Sequence, residues 1–157
     1  MKHSLYILVS IVSLSIFSCT PKNELGLNEK ASINSLGDLP ENPLLLNAIT
    51  SSIHPKDSSV TVLYGNDPAY NYAKVSGDGN YPVGAVLYGV TWQLQADEQW
   101  FGANVPESIR TVERIEFLSN NKIEYGSYDN TGLKQAEPYN KEERIHRITA
   151  MKMAVSP

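Results

Sequence analysis

Three features of the chain predict an α+β fold, an antiparallel β-sheet packed with a few short helices. Apolar residues recur with a period of two in Val60–Tyr64, Val86–Leu94 and Ile115–Tyr125, the spacing of strands. Asparagine, aspartate, glycine and proline words separate these runs and supply turns. Between and after them lie short helix starts, Asp67-Pro68 and Asn140-Lys141-Glu142-Glu143.

In chain order, Met1-Lys2-His3 opens a leader whose apolar run, Leu5 to Phe17, is broken only by serines. A positive start, a short apolar centre and a small residue before the cut make a secretory signal over residues 1–18. The run is too short for a comfortable membrane span. Ile16-Phe17-Ser18-Cys19 is similar to a bacterial lipobox, in which Cys19 becomes the lipidated first residue. Acyl chains contribute about 0.8 kcal/mol per buried CH₂, so a lipidated Cys19 anchors the domain to a membrane. That places the protein in the cell envelope. Thr20, not Asp, follows the cysteine, which by sorting convention favours the outer membrane, facing periplasm or surface.

Loss of Lys2 with the leader takes the net charge from −4 to about −5, which argues against nucleic acid as a partner. Cys19 is the sole cysteine, so neither a disulfide nor a thiolate metal cluster is available. Residues 19–41 are polar and aperiodic and read as the lipidated cysteine with a flexible tether. The domain then occupies residues 42–157. Asn42-Pro43 suggests a helix with Leu45, Ala48, Ile49 and Ile53 on one face, ended by His54-Pro55.

The strand Val60–Tyr64 leads to a helix capped by Asp67, with Ala69, Tyr72 and Ala73 on one face and Gly77 or Gly79 at its end. In the long strand that follows, Val86, Tyr88, Val90, Trp92 and Leu94 share one face, the expected core or pocket face. An aromatic corner, Trp100-Phe101, precedes a loop over Asn104 to Arg110. Ile115 and Phe117, the turn Asn120-Asn121, then Ile123 and Tyr125 make a β-hairpin with one wet face. Asp129-Asn130-Thr131-Gly132 is a turn, and Ile145, Ile148 and Met151 line a last helix begun by the Asn140–Glu143 capping box.

Several spaced words, Leu63-Tyr64-Gly65-Asn66-Asp67, Tyr81-Pro82-x-Gly84-x-Val86-Leu87, Val90-Thr91-Trp92, Trp100-Phe101-Gly102-Ala103-x-x-Pro106 and Val112-Glu113, resemble the cytochrome P-460 family. The likeness implies an antiparallel sheet with packed helices, often dimeric, holding a c-type haem. In that family the haem is bound through Cys-x-x-Cys-His, cross-linked to a lysine, and acts on hydroxylamine or nitric oxide. This chain has no Cys-x-x-Cys-His, and Gly89 stands where the lysine is expected. It looks like a branch lacking the attachment motif. Haem is then possible but not covalently attached through that motif, and a homodimer rests on the resemblance alone.

His54 and His146 are the candidate haem ligands left after signal removal, each set against an ordinary structural role. Tyr88, Trp92, Trp100 and Phe101 are the candidate pocket, set against plain core filling. Arg110, Arg114 and Lys74 offer charge to haem propionates or another anion, though lone surface bases are commoner. Asp97-Glu98 reads as a solvated turn, and no phosphate-loop, zinc-protease or serine-hydrolase word occurs. Three functions stay open: a lipoprotein binding haem or another planar ligand non-covalently, a haem enzyme of hydroxylamine or nitric oxide chemistry, and a haem-free structural or interaction lipoprotein.

Overall fold

The computed structural model describes residues 28–153. Five strands follow one another as an antiparallel meander, β1 (Asn47–His54), β2 (Ser59–Gly65), β3 (Val86–Ala96), β4 (Asn104–Phe117) and β5 (Ile123–Tyr128). Two helices are inserted, α1 (Asp67–Val75) after β2 and α2 (Lys141–Thr149) after β5. The expected α+β class holds.

Both faces of the sheet are buried, and different parts of the chain cover them. On one face Ile49, Leu63, Leu87, Ile115, Phe117 and Tyr125 pack against Ala69 and Ala73 of α1 and Ile145 and Ile148 of α2. On the other, Val86, Tyr88, Val90, Trp92, Ile109, Val112 and Tyr128 pack beneath Ala31, Ile33, Leu39, Leu44 and Leu46. Each fully buried large side chain contributes about 1.5–3 kcal/mol, so neither cover is dispensable.

The second cover corrects the tether expected before residue 42. Residues 28–41 form a strap bonded across the sheet. Trp92 Nε1 donates to Ala31 O at 2.9 Å, Tyr88 OH to Glu41 Oε1 at 3.3 Å and Lys134 N to Asp38 Oδ2 at 2.9 Å. Where the strap crosses the turn after β5, Gly37 (φ 52°) meets Gly132 (φ 81°), and a Cβ on Gly37 would lie 2.7 Å from the Gly132 carbonyl carbon. Glycine fits both requirements there. Residues 19–27 of the expected tether, Cys19 included, lie outside the described residues.

The helix expected over 42–53 is a single 3-10 turn, Pro43–Leu45, followed by β1. Asn42 does cap that turn, accepting from Leu44 N at 3.0 Å. Beyond it, Thr50, Ser51 and Ser52 are poor helix formers, and the β2 edge offers a ladder with a bulge between Ala48 and Thr50. Residues 104–110, expected as loop, extend β4 and pair with β3. Pro106 is accommodated because the ladder is irregular there, between Gln93 and Leu94, and β5 begins pairing only at Val112.

Smaller corrections concern helix ends. Asn66, not Asp67, caps α1, accepting from Ala69 N at 3.2 Å, and Pro68 is the second helical residue. Ser76 in extended conformation ends α1, and Gly79 (φ 82°) belongs to a later turn. The capping box at Asn140 does not form, since its side chain makes no cap bond. The β4–β5 turn matches expectation, with Asn120 and Asn121 both at positive φ (62° and 56°), as a two-residue hairpin requires.

Candidate functional site

One acidic residue lies on the apolar sheet face under α2. Glu113 shares the parity of Ile115 and Phe117 on β4, pairs with Gly89 of β3 and is 1% exposed. Removing a carboxylate from water costs several kcal/mol unless partners replace the solvent. Here Oε1 accepts from Tyr125 OH and Arg144 Nε, both at 2.7 Å, and Arg147 Nη2 stands 3.7 Å from Oε2. Ile145 and Ile148 anchor α2 to the sheet, and Arg144 and Arg147, three residues apart, lie together along the helix beside them. Burial and the hydrogen bond to Glu113 push the Tyr125 hydroxyl up to about 12. The same carboxylate raises Arg144, chiefly by its hydrogen bond, so this guanidinium is fixed as a cation.

Glu113, Arg144 and Arg147 form one wall of a cleft of about 330 Å³. Its floor is a row of threonines in register across three strands, Thr61 opposite Thr91 and Thr91 opposite Thr111. Thr61 Oγ1 and Thr91 Oγ1 are 2.8 Å apart, and His54 Nε2 lies 3.2 Å from Thr61 Oγ1. Arg110 and Asp57 complete the exposed rim. Side chains that are β-branched hold χ1 stiffly, so the hydroxyls stand at fixed positions on a rigid ladder. With Glu113 engaged by Arg144, the rim cations Arg110 and Arg147 keep donors free to meet a ligand. A second hollow of about 340 Å³ beside Tyr81, Phe117 and Ile123 has Lys122 as its one charged lining residue.

The four aromatic candidates do not meet. Tyr88 and Trp92 are buried under the strap, packed against Ala31, Ile33, Leu39, Leu44 and Leu46. Burial pushes the Tyr88 hydroxyl up to about 12, with Arg114 pulling the other way. Trp100 and Phe101 are exposed at the β3–β4 turn. The expected aromatic pocket is therefore absent among the described residues, because the chain's own strap occupies the strand face that was to line it. His54 is half-buried at the cleft, and His146 is exposed on α2. Arg114 pairs with Glu116 at 2.6 Å, and Lys74 sits 4.2 Å over the Tyr70 ring.

A porphyrin needs an apolar slot with an axial donor. His54, the one candidate imidazole near a cavity, faces threonines and arginines, and Gly89 is closed over by Ile148, whose Cδ1 would be 3.3 Å from an added Cβ. The residues do not fit a haem. No group of His, Cys, Asp and Glu side chains placed to hold a metal ion occurs among the described residues.

The sequence reading named Arg110 and His54 for other reasons and missed Glu113, Arg144, Arg147 and the threonine row as a site. One signal was present: in Glu113-Arg114-Ile115-Glu116-Phe117 an acid shares the parity of the apolar residues. No family model matches the chain, and no curated protein matches it.

Proposed function

We propose that this protein is a lipid-anchored, extracytoplasmic binding domain that takes a small anionic ligand in the cleft beneath α2. One observation carries the reading: stiff threonine hydroxyls and two rim guanidiniums surround a buried carboxylate that is already neutralised by Arg144. Arg110 and Arg147 supply charge-assisted donors, Thr61, Thr91 and Thr111 supply hydroxyls, and His54 adds a ring nitrogen beside Thr61. The P-460-like words support a scaffold of that type without its haem chemistry, and the lipobox-like Cys19 supports the anchor.

The test uses residues 19–157 with Cys19→Ser, titrated calorimetrically with phosphate, sulfate and small carboxylates. Saturable binding by at least one anion, weakened about tenfold or more by Arg110→Ala or Arg147→Ala, supports the proposal. Absence of saturable heat with every anion leaves the arginines as helix fasteners and defeats it. Addition of haem to the same protein is expected to give no Soret band that survives gel filtration.

A further inference from the structure

The β3–β4 ribbon runs past the rest of the sheet. β2 stops pairing with β3 at Gln93 and β5 starts pairing with β4 at Val112, so the ladder from Leu94–Pro106 to Ala96–Asn104 extends past both flanking strands, with Leu94 N still donating to Ser58 O at 2.8 Å at its base. The turn at its tip is firmly built. Asp97 N donates to Ala103 O at 2.9 Å, Asp97 Oδ1 accepts from Gln99 N at 2.7 Å and Trp100 N at 3.1 Å, and Gly102 takes φ 83°. This ordered turn displays Trp100 (71% exposed) and Phe101 (109%) to solvent. Two large aromatic side chains on a rigid tip mark a contact surface.

The occupant follows from where the chain outside the described residues begins. Asn28 Nδ2 donates to Pro106 O at 2.9 Å and Glu107 O at 3.1 Å, which ties the strap's first described residue to the base of this ribbon. That point lies about 10 Å of strand from the tip. Eight residues separate it from Cys19, a reach of at most about 30 Å. A lipid on Cys19 therefore keeps this end of the domain within about 30 Å of the bilayer. Tryptophan, an apolar ring with a polar N–H, suits the headgroup boundary, and Phe101 beside it adds apolar area to bury. Asp97 and Glu98 at the tip favour zwitterionic over anionic lipid.

We propose that the Trp100–Phe101 tip inserts into the membrane interface as a second contact beside the lipid anchor. The proposal rests on the anchor reading of Cys19 and is independent of what the cleft binds.

The test uses the lipidated mature protein in phosphatidylcholine vesicles, with and without brominated acyl chains, read by tryptophan fluorescence. Trp92 and Trp100 are the two reporters, and Trp92 is buried under the strap. Quenching by brominated lipid that disappears in Trp100→Phe supports insertion. Equal quenching in both proteins, or none in either, overturns it, as does a blue shift that follows protein concentration instead of lipid, which assigns the tip to a second copy. With the Cys19→Ser chain, Trp100→Ala with Phe101→Ala is expected to lower partition into the same vesicles about tenfold or more. Unchanged partition overturns the proposal. Wild-type protein recovered in the soluble fraction of cells overturns the anchor and this proposal together. Membrane-bound protein with unquenched Trp100 overturns this proposal alone.

Discussion

Glu113 is the residue at which stability and site architecture meet, and its replacement has a calculable cost. Glu113→Gln keeps an acceptor for Tyr125 OH and Arg144 Nε, each now 2.7 Å from an ionised oxygen, but removes the charge. A charge-assisted bond contributes about 1.5–3 kcal/mol and a neutral one about 0.5–1.5, so two weakened bonds lose about 2 kcal/mol. Glu113→Ala also strands Tyr125 OH and opens a void, for about 3–5 kcal/mol in all. Arg144 softens that figure, since its side chain is 26% exposed and can turn to water. Arg144→Met alone leaves a 2%-exposed carboxylate with Tyr125 and the distant Arg147, and is expected to cost about 3–5 kcal/mol, more than Glu113→Gln. Combining Glu113→Met with Arg144→Met removes both charges, so the double variant is expected to lose about 1–3 kcal/mol less than the sum of the singles. Urea unfolding of the Cys19→Ser chain measures each step; with a slope of about 1–3 kcal/mol/M, a loss of 3 kcal/mol moves the midpoint by roughly 1–3 M. Additive losses would refute the coupling, and a stable Glu113→Ala would show that the buried carboxylate holds nothing.

Alkali is a second probe. Tyr125 and Tyr88 titrate near 12 in the folded protein against about 10 when unfolded. Because the folded state holds these protons more tightly, their contribution is complete below pH 10 and disappears as pH rises through 12. Stability is expected to fall across that window, and Tyr125→Phe to flatten the fall, checked by urea midpoints at stepped pH; an unchanged slope counts against the burial. Trp92→Phe removes the 2.9 Å bond to Ala31 O and is expected to cost about 1–2 kcal/mol. Amide exchange in residues 28–46 is expected to quicken more than exchange in α1 and α2; uniform quickening would deny the strap a separate dependence on Trp92.

The elements that could be read from the chain are those whose residues carry their own instructions. β2 and β3 alternate, Asn120-Asn121 prescribes a two-residue turn, and the turn at Asp129 closes through its own carboxylate, which accepts from Thr131 N at 2.8 Å. Hydrogen bonding to Thr131 holds that carboxyl below its ordinary range. β1 was not legible because it is an edge strand that buries little besides Ile49, and Leu45, Ala48, Ile49 and Ile53 satisfy helical spacing by coincidence. The ribbon segment 104–110 was hidden by the opposite difficulty: only Ile109 of it is buried, so the segment shows no apolar alternation. The strap was illegible for a tertiary reason, since isolated Ile33, Leu39 and Leu44 acquire meaning only against Trp92 and Val90. The cleft gathers residues from His54 to Arg147, and spacing along the chain records none of that convergence.

The same meander accounts for why one sheet face is sealed and the other keeps a cleft. A strap laid on the Tyr88–Trp92 face can follow the sheet closely, and its apolar residues cover those two side chains. A nine-residue helix cannot: α2 is about 13 Å long and covers Gly89 and Ile115 with Ile148 and Ile145, then ends. Beyond its edge the floor must be wet, and there the chain places threonine on three neighbouring strands, where an apolar row would have been exposed. Threonine alone would satisfy solvent. Glu113, set inward of that row and clamped by Arg144, does more, because it fixes the helix edge that frames the cleft and positions Arg147 above the hydroxyls. The cleft's shape therefore depends on an ion pair, whereas the sealed face depends on apolar packing, and a charge-removing substitution should loosen the first while leaving the second intact, salt doing little to a pair this buried.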